Sequence, residues 1–372
     1  MNTATRRLGV SNLTPNWFAT VMGTGIIATS AATLPLRAPW LLVAARGVWV
    51  LATLLLLVLL AATLRHHRRY PRIARSHHAH PVLAHFYGAL PMAILTVGSG
   101  ALLLGEPMLG RAAVGLAWIC WLVGTVGGVA CAVIIPLLSF TRLHLGPGDA
   151  FGGWLMPVVP PMVSATGGAL LTPTLDTAAR RADMMLVCAA LFGMSLIASL
   201  IIIGFIWMRL IRRGIGAAGA VPTYWIVLGP LGQSVTAASA LAAAARGTLS
   251  PEHADLMNAL AVAYGVPVLG FAFLWAILAT AITIKTLVRG LPFSLTWWSL
   301  TFPVGTCVTG LSGLAARTGS PALAALAVIA FTLLVAVWAL VATRTAWGTF
   351  VRRDLLSPAP SLPESRAVGV VS

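Results

Sequence analysis

Ten apolar stretches, separated by short polar segments, occupy nearly the whole chain: 15–34, 40–64, 82–104, 113–138, 150–171, 183–208, 222–245, 255–284, 293–316 and 321–344. A helix rises about 1.5 Å per residue, so roughly 20 apolar residues cross a hydrocarbon layer about 30 Å thick. Within that layer the backbone has no water to bond, which leaves helices or closed barrels, and stretches of this length select helices. The chain therefore reads as an all-α integral membrane protein with no room for a separate soluble module. Charged residues make up 9% of it, against about a quarter in an average soluble protein. The expected division is a tail over 1–14, a ten-helix unit over 15–348 and a second tail over 349–372.

A net charge of +16 raises the possibility of a nucleic-acid partner, and the placement of the charges argues against it. With the N-terminus in the cytoplasm, the inner side collects the basic residues at 6–7, 65–75, 142, 209–213, 285–289, 344–353 and 366, which are 17 of the 24. The outer side keeps seven, with five of the eight acids. This is the positive-inside bias. It predicts a multi-pass protein of the cell (inner) membrane with both termini cytoplasmic, the lipid bilayer as partner and no nucleic acid; a patch for anionic lipid is the second reading of the basic excess. Arg6-Arg7 before an apolar run resembles a secretion signal, but nine further spans favour a retained first helix. Cys120, Cys131, Cys188 and Cys307 all fall within spans and none forms a CxxC pair, so they read as small buried hydrophobes.

Sorted by parity, the odd stretches carry helix breakers and hydroxyls, whereas most even ones are plain aliphatic. PNWFATVMGTGIIATS, HFYGALPMAILTVGSG and FSLTWWSLTFPVGTCVTGLSG contrast with TLLLLVLLAATL and ALAVIAFTLLVAVWALVA. An aromatic residue precedes a proline by five positions at Phe86 and Pro91, Trp225 and Pro230, and Trp298 and Pro303. Five copies of a helical hairpin are the economical description. A proline inside a helix frees a carbonyl and kinks the axis, and freed groups are tolerated only in protein or along a water-filled path. The odd helices should then form an inner ring around a central pore and the even ones an outer, lipid-facing ring. Gly124, Gly127, Gly128, Pro136 and Pro267 break the sorting, and there small residues would serve close packing.

On this reading the pore is lined by Thr20, Gly23, Thr24, Gly25, Pro91, Pro160, Ser164, Pro230, Gln233, Ser234, Pro303 and Thr306. Further hydroxyls stand at Thr96, Ser99, Thr166, Thr236, Ser299 and Thr309. Helix packing through Gly23 and Gly25 is the alternative for the first stretch. No GxxxxGK exists, the only lysine is Lys285, and every acid sits in a loop, a tail or the end of a span. ATP hydrolysis by a P-loop is excluded, and no enzyme activity, cofactor or metal is expected. The loop RHHRRYPRIARSHHAHPVLAH holds six histidines without a nearby Cys or acid. It reads as a solvated topology signal ahead of a pH or anion sensor, and ahead of a metal site; His80 and His85 are the candidates for pH modulation of flux. Hydroxyls and basic mouths without carboxylates suit a small anionic substrate, although hydroxyls also line pores for neutral solutes.

PNWFATVMGTGI in the first stretch and TWWSLTFPVGT in the ninth resemble the tellurite-resistance/dicarboxylate transporter family, whose relatives include malate permeases, sulfite efflux pumps and slow anion channels. The resemblance implies ten helices in five hairpins with pseudo-fivefold symmetry, odd helices kinked at prolines around the pore, and a homotrimer. It also implies a phenylalanine that occludes the pore on the ninth helix, and Phe302 is the matching position. The expected function is anion transport that is not ATP-driven, with C4-dicarboxylates such as malate or succinate first. Sulfite or tellurite-resistance efflux and a small monovalent anion channel are the alternatives. A membrane sensor or scaffold without transport is the reading of another class.

Overall fold

The computed structural model describes residues 10–36, 38–143 and 145–356, with Pro147 by its backbone alone. Arg6, Arg7, Arg37, Arg366 and most of both expected tails lie outside the described residues. Among the described residues there are twelve α-helices and no strand: α1 (Phe18–Thr33), α2 (Pro39–Arg69), α3 (Pro71–Ala79), α4 (Ala89–Leu104), α5 (Glu106–Leu109), α6 (Ala112–Thr141), α7 (Pro160–Leu171), α8 (Ala178–Arg213), α9 (Leu228–Ala245), α10 (Pro251–Val288), α11 (Phe302–Thr318) and α12 (Pro321–Ala346). With their leading or trailing turns, eight segments are long and apolar enough to cross a membrane, so the chain is a multi-pass membrane protein. Of the ten expected spans, α1 with 16 residues and α7 with 12 fall short on helix length, and both are buried along nearly their whole course.

Burial follows the parity of the sequence. The apolar cores of the segments containing α4, α9 and α11 are 67–78% buried, whereas those of α2, α6, α8, α10 and α12 are 22–28% buried. The inner helices α1, α4, α7, α9 and α11 each touch the next in chain order, and α11 returns to α1, which closes a ring. Each outer helix lies in the groove between two inner neighbours, α2 between α1 and α4, α6 between α4 and α7, and so on round to α12 between α11 and α1. Small residues make these grooves close. A Cβ on Gly128 would stand 2.8 Å from Cβ of Pro160, and one on Gly124 would stand 2.5 Å from Cγ of Leu95. Gly124 and Gly128 of α6 therefore serve packing, as their exception to the parity rule suggested.

The prolines do something other than kink the inner helices midway. A 3₁₀ segment precedes the α-helix in every inner element: Pro15–Trp17, Leu83–Gly88, Gly152–Leu155, Ala218–Val227 and Leu295–Leu300. Pro91, Pro160, Pro230 and Pro303 fall in the first turn of the α-helix that follows. The N–H groups of a first turn have no acceptor within their own helix, so a proline there removes nothing the helix uses. It marks the start of the α-helix, directly after the 3₁₀ segment at α4 and α9 and after turn or bend residues at α7 and α11. Pro136 and Pro267, by contrast, lie inside α6 and α10.

Indoles pin the outer ring to the inner one. Trp49 Nε1 on α2 donates to the Val97 carbonyl on α4 at 3.0 Å, Trp121 Nε1 on α6 to Ser164 O on α7 at 2.8 Å, and Trp338 Nε1 on α12 to Thr24 Oγ1 on α1 at 3.2 Å. Each bond runs from an outer helix to the next inner one, which fixes the rotation of helices that greasy contact alone would leave free. A buried indole N–H without a partner is costly, so these bonds also select against slipped arrangements.

Candidate functional site

Two cavities lie on the axis of the inner ring, and each is lined by all five inner elements. The wide one, about 320 Å³, sits toward the C-terminal ends of the helices, where α1 contributes Thr29 and Thr33, α4 Thr96 and Ser99, α7 Thr166, α9 Gln233, Thr236 and Ser239, and α11 Thr309, Ser312 and Arg317. The narrow one, about 30 Å³, sits toward the N-terminal ends, lined by Ala19, Met22, Phe86, Met92, Met156, Val159, Trp298, Pro230 and Pro303 among others. Phe302 belongs to both linings and is 4% exposed. Its ring stands between a polar chamber and an apolar throat. Since the same ends of all five helices meet at each cavity, the inner helices run parallel, which a chain of hairpins requires.

The expected pore-lining residues divide. Gln233 lines the wide cavity, Pro230 and Pro303 the narrow one, and Phe302 both. Thr20, Gly23, Thr24, Gly25, Pro91, Pro160, Ser164, Ser234 and Thr306 lie outside both linings. Thr24 receives the Trp338 indole. Ser164 and Thr20 donate to carbonyls of Pro160 and Trp17 at 3.1 and 2.8 Å, and Ser234 donates to the Leu231 carbonyl at 2.8 Å. Thr306 donates to the Pro303 carbonyl at 2.7 Å, against the backbone of Gly229. A Cβ on Gly25 would stand 2.6 Å from Cγ2 of Thr96, and one on Gly23 would be 2.6 Å from Cε3 of Trp298. The glycines in the middle of α1 thus sit at helix contacts. Of the further hydroxyls, Thr96, Ser99, Thr166, Thr236 and Thr309 line the wide cavity and Ser299 the narrow one.

Hydrogen bonds cross the chamber wall from helix to helix. Gln233 Nε2 on α9 donates to Thr166 Oγ1 on α7 at 2.8 Å, and Thr236 and Thr309 share a bond of 2.7 Å between α9 and α11. Several lining hydroxyls spend their proton on their own helix: Thr96 on the Met92 carbonyl at 2.7 Å, Ser312 on Val308 O at 2.8 Å, and Thr29 on Ile26 O at 3.3 Å. They turn lone pairs rather than protons to the cavity. No carboxylate lines either cavity, and Arg317 is the charged side chain in the linings. Arg317 escaped the sequence reading because it was counted among the outer topology charges.

The histidine loop is more ordered than a solvated signal requires. His66 and His77 are buried and stack with ring centroids 5.5 Å apart, and His66 Nδ1 lies 2.7 Å from the Val10 carbonyl, which holds the first described residues against α2. Burial, with the neighbouring histidines adding to it, lowers the His77 pKa to about 4, so this side chain is neutral at pH 7 and adds nothing to the loop's charge. His80 is exposed, and its Nδ1 accepts from the backbone N–H of Val82 and Leu83 at 3.1 and 3.2 Å. His85 is buried and stacks on Trp154 at 6.0 Å. Among the described residues no three metal-ligating side chains come together.

Comparison with known proteins adds an independent finding. The family described as voltage-dependent anion channel, SLAC1, matches residues 12–346. The sulfite efflux pump of Trichophyton rubrum is 25% identical over 347 residues, covering 91% of this chain and 92% of the pump. That of Arthroderma otae is 24% identical over the same shares. An uncharacterized transporter of Methanocaldococcus jannaschii is 25% identical over 302 residues, covering 80% of this chain and 82% of the transporter.

Proposed function

Because the chain belongs to the SLAC1 family of voltage-dependent anion channels, we propose that the axis through the two cavities is its permeation path and that sulfite, a compact oxyanion, is its substrate. The observation that carries this reading is the wide cavity, which all five inner helices line, with one guanidinium and no carboxylate. A cation path would place carboxylates or a ring of carbonyls there. The similarity to sulfite efflux pumps supports sulfite. A C4-dicarboxylate bears two charges several bonds apart, and a lining with one cationic side chain offers a partner to one of them only. Flux needs no nucleotide on this reading, since the chain carries no P-loop.

The deciding experiment is efflux from proteoliposomes loaded in turn with sulfite, succinate, malate and chloride. Sulfite should leave fastest, with valinomycin and potassium setting the potential and no ATP supplied. Succinate or malate outrunning sulfite would return the C4-dicarboxylate reading to first place, and no flux of any anion would leave the sensor or scaffold class.

The same reading lets α1 and α7 cross the bilayer with their 3₁₀ leaders, giving ten helices in five hairpins with pseudo-fivefold symmetry, and it includes a homotrimer and cytoplasmic termini in the cell membrane. The support for this orientation is the clustering of basic residues on α2 and α3, from Arg65 to Arg75. A cysteine at Ser76, which is exposed, should react with an impermeant maleimide only in inverted vesicles. Labelling in intact cells would reverse the orientation.

A further inference from the structure

Resting on the anion-path reading, we propose that Arg317 and Ser239 form an oxyanion-docking site in the wall of the wide chamber, for a compact anion that carries two or more oxygens on one atom. Arg317 stands in the last turn of α11 and lines the cavity. Nη1 donates to Asn258 Oδ1 on α10 at 2.9 Å and Nη2 to the Ser239 carbonyl on α9. These two contacts aim the guanidinium and use two of its five N–H donors. Nε is buried with no partner, and no carboxylate stands within 4.0 Å of Arg317 among the described residues. A cation without a counter-ion, half withdrawn from water, is a standing demand for an anion.

The Ser239 hydroxyl is a second, independent sign. Ser239 is 5% exposed and lines the same cavity, and its Oγ is buried without a hydrogen-bond partner. The lining threonines and Ser312 give their protons to helix carbonyls, whereas this hydroxyl keeps its own to offer. Gly313, one helical turn before Arg317 on α11, packs directly against this serine, and a Cβ there would stand 2.8 Å from both Cβ and Oγ of Ser239, so an added methyl group would displace the hydroxyl. Two unmet donors, on residues that already touch each other, therefore meet beside a glycine that leaves the serine hydroxyl its place. Arginine's planar fork matches two oxygens on a single atom better than it matches a sphere, so sulfite or a carboxylate should bind ahead of chloride.

The test separates binding from flux. Detergent-solubilised wild-type protein is titrated with sodium sulfite, with succinate and with chloride at matched ionic strength, and the half-saturating concentration is read from the rise in melting temperature. Proteoliposome flux is measured in parallel. Arg317→Gln should weaken sulfite binding by about tenfold or more, and Arg317→Lys by less, since it keeps the charge and loses the fork. Gly313→Ala should weaken binding while leaving the arginine in place, and it decides the matter if the arginine variants fold poorly. Succinate equalling sulfite would assign the site to carboxylates within the same class. A chloride response equal to that of sulfite, an absent sulfite response in the wild type, or unchanged half-saturation in Arg317→Lys and Gly313→Ala would each overturn the proposal. Sulfite binding lost in these variants while wild-type vesicles carry no anion would sink the permeation reading and leave the docking site standing.

Discussion

Replacing Phe302 with alanine is expected to raise anion efflux from proteoliposomes about tenfold or more, since each 1.4 kcal/mol removed from a barrier multiplies a rate by about ten. The ring separates a polar chamber from an apolar throat and is the side chain common to both linings. It obstructs by volume and by offering water no polar partner. An ordinary core phenylalanine behaves differently, because truncating one leaves a cavity and costs about 3–5 kcal/mol. Phe302 already has open space on two sides, so its removal should forfeit less packing than that. The two roles differ in the sign of the flux change. A gate variant conducts more and melts near the wild-type temperature, whereas a packing variant loses stability and flux together. Well-folded Phe302→Ala protein with unchanged or lower efflux would remove the gate assignment. The throat beyond the ring is itself narrow, with Met22, Met92 and Met156 in its wall. Flux in the variant should therefore remain selective for small anions.

Among the glycines of the inner α-helices, Gly232→Ala should be the most damaging change, because there the new methyl group meets backbone rather than side chain. A Cβ at Gly232 would stand 2.5 Å from the Thr306 carbonyl carbon and press on the Cys307 backbone nitrogen as well. Backbone cannot rotate away as a side chain can, so α9 and α11 would have to separate. Separation stretches the Thr236–Thr309 bond and opens the wall of the chamber. The expected loss is about 3 kcal/mol, the upper end of the usual range for over-packing, read as a lower melting temperature and poor recovery in detergent. Gly270→Ala is the control, for it lies mid-helix on α10 with nothing within 4 Å of the new Cβ. That change should be neutral or stabilise by up to about 1 kcal/mol through helix propensity. Equal melting of the two variants would show that the α9–α11 contact yields more readily than its geometry implies.

Much of the architecture was legible without coordinates because hydropathy is a local property of composition. Stretches of apolar residues long enough to cross a bilayer admit helices, and the parity of breakers and hydroxyls separated buried helices from exposed ones before any contact was known. Pro91, Pro230 and Pro303 mark the inner helices in the sequence, where a proline implies a kink, whereas the backbone puts each of them in a first turn. A sequence shows that a proline is present, and only the backbone shows that it falls in a first turn, where it costs nothing. The histidine loop likewise shows its charge in the sequence but not its burial, which comes from His66 and His77 stacking on each other and from His66 meeting the Val10 carbonyl.

The direction in which each inner side chain points belongs to the tertiary structure alone. A helix buried on one face carries a periodic stripe that reveals its rotation, but α1 is buried on nearly every side and has no such stripe. Thr24 and Thr29 are equally plausible in the sequence, yet Trp338 takes the first and the chamber the second. The same limit hid Arg317, whose charge could be counted toward topology from the sequence. Its place at the chamber wall depends on Ser239, Asn258 and Gly313, which come from the consecutive helices α9, α10 and α11, and only their packing shows which faces meet.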